Sequence, residues 1–354
     1  MEYLGIDLGK ERSDICILDE SGEPRERLRV VTSQLPAWLS KRPRSRLVME
    51  TSTQSRLVSM EARKTGHDVT VLPGQVLRAL GIGWRGLKTD RKDAEILARA
   101  AFRNETLPDV HLRSDDAVEA TKLILARTFY KRACTKLINQ IKAELRAHLL
   151  PTPPSRSTKF EEHCRAEFAS ADVGVSLPLE IAFEALRENR AKVSKLEKAL
   201  EAEAERPEVR LLRSIPGIGV LTGVYLWALI DDPTRFASAD RVGSYLGLVA
   251  GEATTGGKIQ RTRMIKAGPK QLRPLLVQSA WTCLRHRPHD PLTQWALRIA
   301  KRRGKKVAVC ALVRKLGVIA WAVLRSKRPY DPTKAARRLP ELSLEEELAQ
   351  AITV

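Results

Sequence analysis

Short strand-like apolar patterns, interleaved with helical ones, run through the first part of the chain, and a helical period then runs through most of the remainder. Residues 2–8, Glu-Tyr-Leu-Gly-Ile-Asp-Leu, read as a strand, and residues 13–19 as a second with Ile15 and Ile17 on one face. Ser21 and Gly22 mark a turn, and a strand over 25–31 completes an antiparallel meander. Residues 35–39 read as helix, 46–50 as strand, 54–64 as helix stopped by Gly66, and 68–72 as strand, with another helix starting near Asp90.

From about 115 to 150 the pattern predicts one long amphipathic helix. Its apolar residues are Leu123, Leu125, Leu137, Ile138, Ile141 and Leu145, and its polar side is basic. Pro151, Pro153 and Pro154 end it, and 155–175 reads as an irregular polar linker. Helix resumes over 181–205, where Leu186, Val193 and Leu200 fall at heptad spacing and Leu196 forms part of a second row that Asn189 interrupts. The last third reads as mainly helical, with Ser214-Ile215-Pro216-Gly217-Ile218-Gly219 between two apolar runs and a final amphipathic helix over 305–325. The expected fold class is α/β plus α. Residues 1–112 form an α/β catalytic domain, 113–206 a basic helical and coiled-coil connector, 207–335 a helical C-terminal domain and 336–354 a frayed tail. Three strands followed by alternating helix and strand suit a ribonuclease-H-like domain, although pattern alone leaves other α/β folds open.

Charge narrows the function. Among 354 residues, 62 Lys and Arg against 42 Asp and Glu give a formal charge of +20, which points to a polyanionic partner. No stretch reads as a membrane span, and Met1 leads directly into a strand, so the expectation is a cytoplasmic protein without a membrane partner. Cys16, Cys134, Cys164, Cys283 and Cys310 are scattered, odd in number and never in a CxxC pair, which argues for buried thiols rather than disulfides or zinc ligands.

Four acids stand out. Asp7 sits within an apolar strand, where a carboxylate is costly to bury without a partner, and Glu50 closes another such strand. Asp90 and Asp93 lie three apart at a helix start, on one face. Converging carboxylates repel unless hard cations sit between them, and magnesium, with manganese as a substitute, accepts such oxygens while keeping room for phosphate. Taken singly, Asp90 also suits a helix N-cap, Asp93 a first-turn partner of the helix dipole, and Glu50 a strand end.

These pieces resemble the DEDD insertion-sequence transposases, the family of the Piv DNA invertase and the bridge-RNA-guided recombinases. The resemblance rests on Gly5-Ile6-Asp7-Leu8-Gly9-Lys10, Met49-Glu50-Thr51 and Lys88-Thr89-Asp90-Arg91-Lys92-Asp93-Ala94. Later matches are Ile215-Pro216-Gly217-Ile218-Gly219, Gly247-Leu248-Val249, Lys266-Ala267-Gly268 with Leu272-Arg273, and Arg314-Lys315-Leu316. They occur in the family's order across nearly the whole chain. The resemblance implies a RuvC-like N-terminal domain whose acids Asp7, Glu50, Asp90 and Asp93 bind magnesium. It also implies a C-terminal hydroxyl that attacks DNA to form a covalent protein–DNA intermediate, and a homo-oligomer, dimer or tetramer, with composite sites. Where the family carries its serine this chain has Thr255, with Thr254 adjacent; the threonine methyl restricts rotation and crowds the approach to phosphorus. Ala250 likewise replaces a proline common after the family's Gly-Leu pair.

Nucleic-acid contacts are expected in three places. The Pro216–Gly219 turn resembles a helix-hairpin-helix, with Gly217 and Gly219 letting backbone N–H groups approach phosphate. Lys258, Arg261, Arg263, Lys266 and Lys270 line what reads as a Gly-bounded loop and helix start. On the long basic helix, Arg127, Arg132, Lys136, Asn139, Lys142 and Arg146 can follow a backbone. At 5% aromatic content, base stacking is limited, which suits shape recognition of a structured guide RNA beside double-stranded DNA. Two rival readings remain: a metal nuclease or junction resolvase that uses water, and a catalytically impaired nucleic-acid-binding protein.

Overall fold

The computed structural model describes residues 1–74, 76, 90–103, 107–255, 258–265 and 268–334; residues 90, 91, 252–255 and 258–263 are described by their backbone alone. The chain divides into two compact units, Met1–Leu112 and Arg113–Val354.

The first unit is built on a mixed five-stranded sheet. Strands β1 (Glu2–Asp7), β2 (Arg12–Leu18) and β3 (Pro24–Val31) are antiparallel neighbours. Strands β4 (Ser45–Glu50) and β5 (Asp68–Leu72) run parallel to β1, giving the order β3-β2-β1-β4-β5. Both faces are covered. Leu4, Ile6, Ile15, Ile17, Leu47 and Met49 on one face form a core with Leu35 and Leu39 of α1 (Leu35–Leu39) and Val58 and Ala62 of α2 (Ser55–Lys64). The other face presents Cys16, Leu18, Val48 and Leu72 to Ala94, Leu97, Ala98 and Ala101 of α3 (Asp90–Phe102).

Gly5 is what lets α3 come so close. A Cβ there would stand 2.0 Å from the Ala94 carbonyl oxygen and 2.2 Å from the Ala98 nitrogen, so helix backbone rests directly on strand backbone. Tyr3 meets Phe102 edge-on with ring centroids 5.2 Å apart. The helix therefore runs antiparallel to β1, its C-terminal end over Tyr3 and its N-terminal end toward Asp7. This mixed sheet is compatible with the ribonuclease-H-like expectation.

In the second unit, α4 (Asp115–Ala147) and α6 (Leu177–Glu203) form an antiparallel pair, pinned by Arg127 to Glu197 at 2.6 Å. Leu186, Val193 and Leu200 are buried within the chain, so the heptad row serves the fold of one subunit. The expected irregular linker is corrected in part: Phe160–Ser170 is a helix, α5, because Phe160, Cys164 and Phe168 repeat every four residues and pack against Ile141, Leu145 and Phe183. The surrounding polar residues hid that stripe.

The base of the pair enters a larger helical core through Ala117, Ala120, Ile124, Leu200 and Ala204. That core contains α7 (Pro207–Arg213), α8 (Val220–Ile230), α9 (Ala239–Tyr245), α10 (Leu272–His286), α11 (Pro291–Arg303) and α12 (Lys305–Ser326). A second correction concerns α12, which is by length and composition apolar enough to cross a membrane although the sequence read as having no such stretch. Its Leu312, Leu316, Ala320, Val323 and Leu324 are buried in the helical core, the environment of a core helix.

A third correction concerns Lys258, Arg261 and Arg263. They lie on strand β7 (Lys258–Met264), which pairs with β6 (Ala250–Thr255) in an antiparallel hairpin, and not on a loop running into a helix. Ile259 and Thr262 favour the extended backbone, and Gly256-Gly257 is a hairpin-turn signal that outweighs the charge pattern.

Candidate functional site

Strand register brings Asp7 and Glu50 together. Ile6 pairs with Met49 across the parallel β1–β4 ladder, so the next residues, Asp7 and Glu50, end adjacent strands side by side. Alternation turns both to the face that receives α3, since Ile6 and Met49 belong to the opposite core. Asp93, 7% exposed, lies on α3 one residue before Ala94, the residue that rests on Gly5. Asp90 begins the same helix; its side chain is not among the described atoms. Among the described residues, no group of three His, Cys, Asp or Glu side chains stands close enough to hold a metal ion.

The strand ends are braced. Thr51 donates both its N–H and its hydroxyl to the Leu72 carbonyl, at 2.9 and 2.8 Å, fixing the chain just after Glu50. Glu50 Oε1 would lie 3.1 Å from a Cβ at Gly74, so a glycine there leaves room for the carboxylate. Beyond Asp7, the Thr32 hydroxyl donates to the Gly9 carbonyl at 2.9 Å, and the Thr32 N–H to that of Glu11 at 2.9 Å.

Sequence reasoning missed one acid. Asp14, 6% exposed, is the direct partner of Asp7 in the β1–β2 ladder and hence shares its face. Arg29, its own partner across β2–β3, grips it bidentately: Nε lies 3.1 Å from each carboxylate oxygen and Nη2 2.7 Å from Oδ2. The signal was available, since Asp14 stands in an apolar strand as Asp7 does, in phase with the inward-facing Cys16 and Leu18.

The expected hydroxyl lies in the second unit. Thr254 pairs with Ile259 and Thr255 with Lys258, so both threonines close β6 at the hairpin turn; their side chains are not described. The ribbon is tied to the helical core by Arg273, whose Nη2 donates to the carbonyls of Gly247 at 3.1 Å and Ile265 at 2.6 Å. Lys266 lies outside the described residues. Burial pushes the Cys164 thiol up to about 11 and the Cys283 thiol up to about 12, so neither supplies a thiolate near neutral pH.

A groove of about 1080 Å³ opens at the Pro216–Gly219 turn, lined by Arg127, Arg213, His286, Arg287 and His289 and by the start of α8. Its carboxylate Asp290 is engaged, accepting from the Leu292 N–H at 2.9 Å and the Tyr330 hydroxyl at 3.2 Å. The two glycines divide their work. Gly217 has φ +76° and a Cβ there would meet the Ser279 carbonyl at 2.4 Å, so it serves packing against α10. Gly219 has nothing within 4 Å of such a Cβ and opens to the groove. Arg127 lines the groove while paired to Glu197. Arg132, Lys136, Asn139 and Arg146 are exposed on α4, and Lys142 is partly buried.

Residues 4–149 match a family model described as a transposase of the DEDD IS110 type, and residues 209–294 match the transposase IS116/IS110/IS902 family. A transposase for insertion sequence element IS1111A from Coxiella burnetii is 26% identical over 93% of this chain and 91% of its own length. A transposase for insertion sequence element IS1328 from Yersinia enterocolitica is 28% identical over 90% of this chain and 96% of its own length. A pilin gene-inverting protein from Moraxella bovis is 26% identical over 93% of this chain and 97% of its own length. With both family models aligned in order and these relatives matched almost end to end, the chain belongs to the DEDD insertion-sequence transposases of the IS110/IS116 type, enzymes of DNA recombination.

Proposed function

We propose that Asp7, Glu50, Asp90 and Asp93 form the phosphoryl-transfer site of this recombinase and that Thr255 supplies the attacking hydroxyl, with Thr254 as its alternate. The observation that carries the reading is the placement of Asp7 and Glu50 at adjacent parallel strand ends, on the face where α3 brings Asp93. An all-oxygen donor set of this kind fits a hard divalent cation, magnesium or manganese, which supplies charge neutralisation at a phosphate when bound. The residues' own task is to hold that charge in place: the braced strand ends keep Asp7 and Glu50 from moving apart as substrate enters.

In the proposed reaction the threonine oxygen forms a bond to phosphorus, and one sugar oxygen leaves with the bonding electron pair. The threonine proton passes to solvent and the departing oxygen takes one up. Rejoining is the reverse attack by a sugar hydroxyl, so the phosphodiester count is preserved. A structured RNA selects the sites, consistent with low aromatic content and abundant basic side chains. The working form is a dimer or tetramer, in which the acids of one subunit and the hydroxyl of another complete a composite site. The groove at Gly219, with the cations of α4, holds nucleic-acid backbone.

The test is incubation of the purified protein with DNA carrying the joined ends of its insertion element, magnesium and its co-purifying RNA, followed by denaturing electrophoresis and peptide mapping. A DNA adduct at Thr255, absent in Thr255→Ala and in Asp7→Asn, is the expected result. Cleavage without any adduct shows that water is the nucleophile, and tight binding with intact DNA shows a catalytically impaired binder.

A further inference from the structure

The long helix α4 carries an apolar patch that the fold does not use. Lys122, Leu125, Phe129, Arg132 and Lys136 recur at three- and four-residue spacing, so they form one stripe along the helix, and all five are exposed. At its centre Phe129 is 67% exposed, and Leu125, one turn before it, is 41% exposed. Isolated apolar side chains are ordinary on a protein surface. A phenylalanine ring with most of its surface in water, beside a second apolar side chain, is the kind of feature that marks an interaction site.

The ring also has a support. Its centroid lies 5.2 Å from that of Tyr130, with the two planes at 79°. Tyr130 is partly buried, and the Lys192 ammonium of α6 stands 5.7 Å from its ring centroid. Lys192 in turn meets Glu188 at 3.2 Å. Phe129 thus leans on a side chain that contacts the other helix of the pair, and its remaining surface faces outward.

Charge decides which partner fits. Of the stripe's cations, Lys122 pairs with Glu119 at 3.0 Å, whereas Arg132 and Lys136 meet no carboxylate among the described residues. A second copy of this helix is the wrong occupant. Laid antiparallel about Phe129 it sets Lys122 against Lys136, and laid parallel it sets each cation against itself. A nucleic acid matches both parts of the stripe, since a base stacks on an aromatic ring while the phosphates beside it meet the cations. At a helical rise of about 1.5 Å per residue, Arg132 and Lys136 lie about 4.5 and 10.5 Å along the axis from Phe129, within reach of phosphates next to a stacked base. Duplex DNA keeps each base covered by its neighbours, so the strand that offers a free base face is an unpaired loop of folded RNA.

Taking a structured RNA as a partner, on which the inference rests, we propose that Phe129 is the stacking platform for an unpaired base of that RNA, with Arg132 and Lys136 on the flanking phosphates. The stacked base covers the patch that the fold leaves in water. Elsewhere along α4 the contacts are to backbone, in keeping with the chain's few aromatic residues.

The test has two arms. In the first, the protein is irradiated with ultraviolet light as it comes from its cells, and its peptides are mapped. The peptide containing Phe129 should carry a ribonucleotide; a deoxyribonucleotide there would mean that the occupant is opened DNA and would overturn the assignment to RNA. In the second, full-length protein freed of nucleic acid is titrated with an RNA hairpin bearing an unpaired adenosine loop and with a blunt RNA duplex of equal phosphate number. Phe129→Ala should weaken hairpin binding about tenfold and duplex binding by less than about twofold. Phe129→Trp should bind as wild type, and Phe129→Leu, apolar without a ring face, as Phe129→Ala. A 2-aminopurine in the loop should be quenched by wild type and not by Phe129→Ala. Arg132→Gln and Lys136→Gln should each lower the logarithmic salt slope for the hairpin by about 0.7. All these variants change exposed side chains, and a wild-type thermal midpoint checks that each is folded.

Equal losses on hairpin and duplex, quenching retained by Phe129→Ala, or wild-type binding by Phe129→Leu would each overturn the proposal. So would a smaller assembly for Phe129→Ala in sedimentation without nucleic acid, which would make the patch a protein contact. Ribonucleotides on other peptides and none on that of Phe129 would sink this inference alone. No ribonucleotide on any peptide, with no hairpin binding by wild type, would sink the RNA reading beneath it.

Discussion

The two units hold their candidate chemistry in opposite ways. In the first, Asp7, Asp14 and Glu50 stand on central strands of a sheet covered on both faces, and Asp93 on a helix whose backbone touches that sheet. In the second, Thr255 sits at the tip of a two-stranded ribbon, and the groove side chains Arg213, His286, Arg287 and His289 are exposed. Isolated two-stranded ribbons are marginal in water, and this one depends on Arg273 and on close backbone packing at Gly268, where a Cβ would meet the Gly247 nitrogen at 2.7 Å. The contrast sets the candidate acids in a sheet packed on both faces and the candidate hydroxyl at the end of a two-stranded ribbon.

The sharpest way to break this division is to remove charge from the rigid side. Asp7→Asn should lower cleavage by more than about 1,000-fold while leaving the first unit folded, since the change is isosteric and removes only the charge. A fall in activity matched by a fall in midpoint would mean Asp7 is structural. On the compliant side, Thr255→Ala should abolish the adduct. Thr255→Ser should raise the single-turnover rate about tenfold, because serine loses the methyl that restricts rotation. No gain in the serine variant would place the limitation elsewhere.

The same contrast governed what could be read before the structure. Every strand of the first unit was legible, β4 from a short apolar run and not from alternation, and the adjacency of Asp7 and Glu50 follows from parallel register at strand ends. Asp14 was overlooked because its partner, Arg29, is close only through sheet pairing, and a strand partner is not a sequence neighbour. In the second unit the long helices were legible from their period, whereas α5 was masked by charge around a three-residue stripe. The β6–β7 ribbon was hidden because its basic residues drew attention from its turn signal. Whether the groove turn uses its glycines for ligand or for packing is a tertiary question: Gly217 faces Ser279, more than sixty residues away, and Gly219 faces open space.

Glycines sharpen the comparison further. Gly5→Ala and Gly217→Ala should each cost about 3 kcal/mol of stability through overpacking, as each new methyl meets backbone that cannot give way. In denaturant unfolding followed by probes in each unit, Gly5→Ala should lower the first unit's transition and Gly217→Ala the second's. A single shared transition for both variants would mean the units unfold together. Smaller still are the groove cations: Arg213→Gln or Arg287→Gln should weaken DNA binding about threefold and lower the logarithmic salt slope by about one each. Unchanged salt slopes would exclude these residues from the phosphate contacts.

The smallest effect concerns the clamp between β3 and α3. The hydrogen bond from Arg27, then that from Arg99, holds the Glu95 carboxyl below the ordinary glutamate range, with burial opposing. A depressed folded pKa stabilises the fold above the ordinary value and is lost as pH falls through the folded one, so the contribution fades on the acid side, below the ordinary glutamate pKa. Because Arg27 is half exposed, solvent screening keeps the contribution under about 1 kcal/mol. Arg27→Gln should therefore lower the first unit's thermal midpoint slightly at neutral pH and make little difference in strong acid, where Glu95 is protonated in both proteins. Glu180 in the second unit offers the matched control, since its carboxyl is lowered by a hydrogen bond from Arg165 between α6 and α5, on elements that carry none of the proposed reacting groups. Arg165→Gln should shift only the second unit's acid limb and leave cleavage intact. Arg27→Gln should also slow cleavage modestly, because the helix it tethers carries Asp93. Equal cleavage by the two variants at neutral pH would show that α3 is held firmly enough by Gly5 and Ala94 alone, and that the rigidity of the acid site comes from packing rather than from charge.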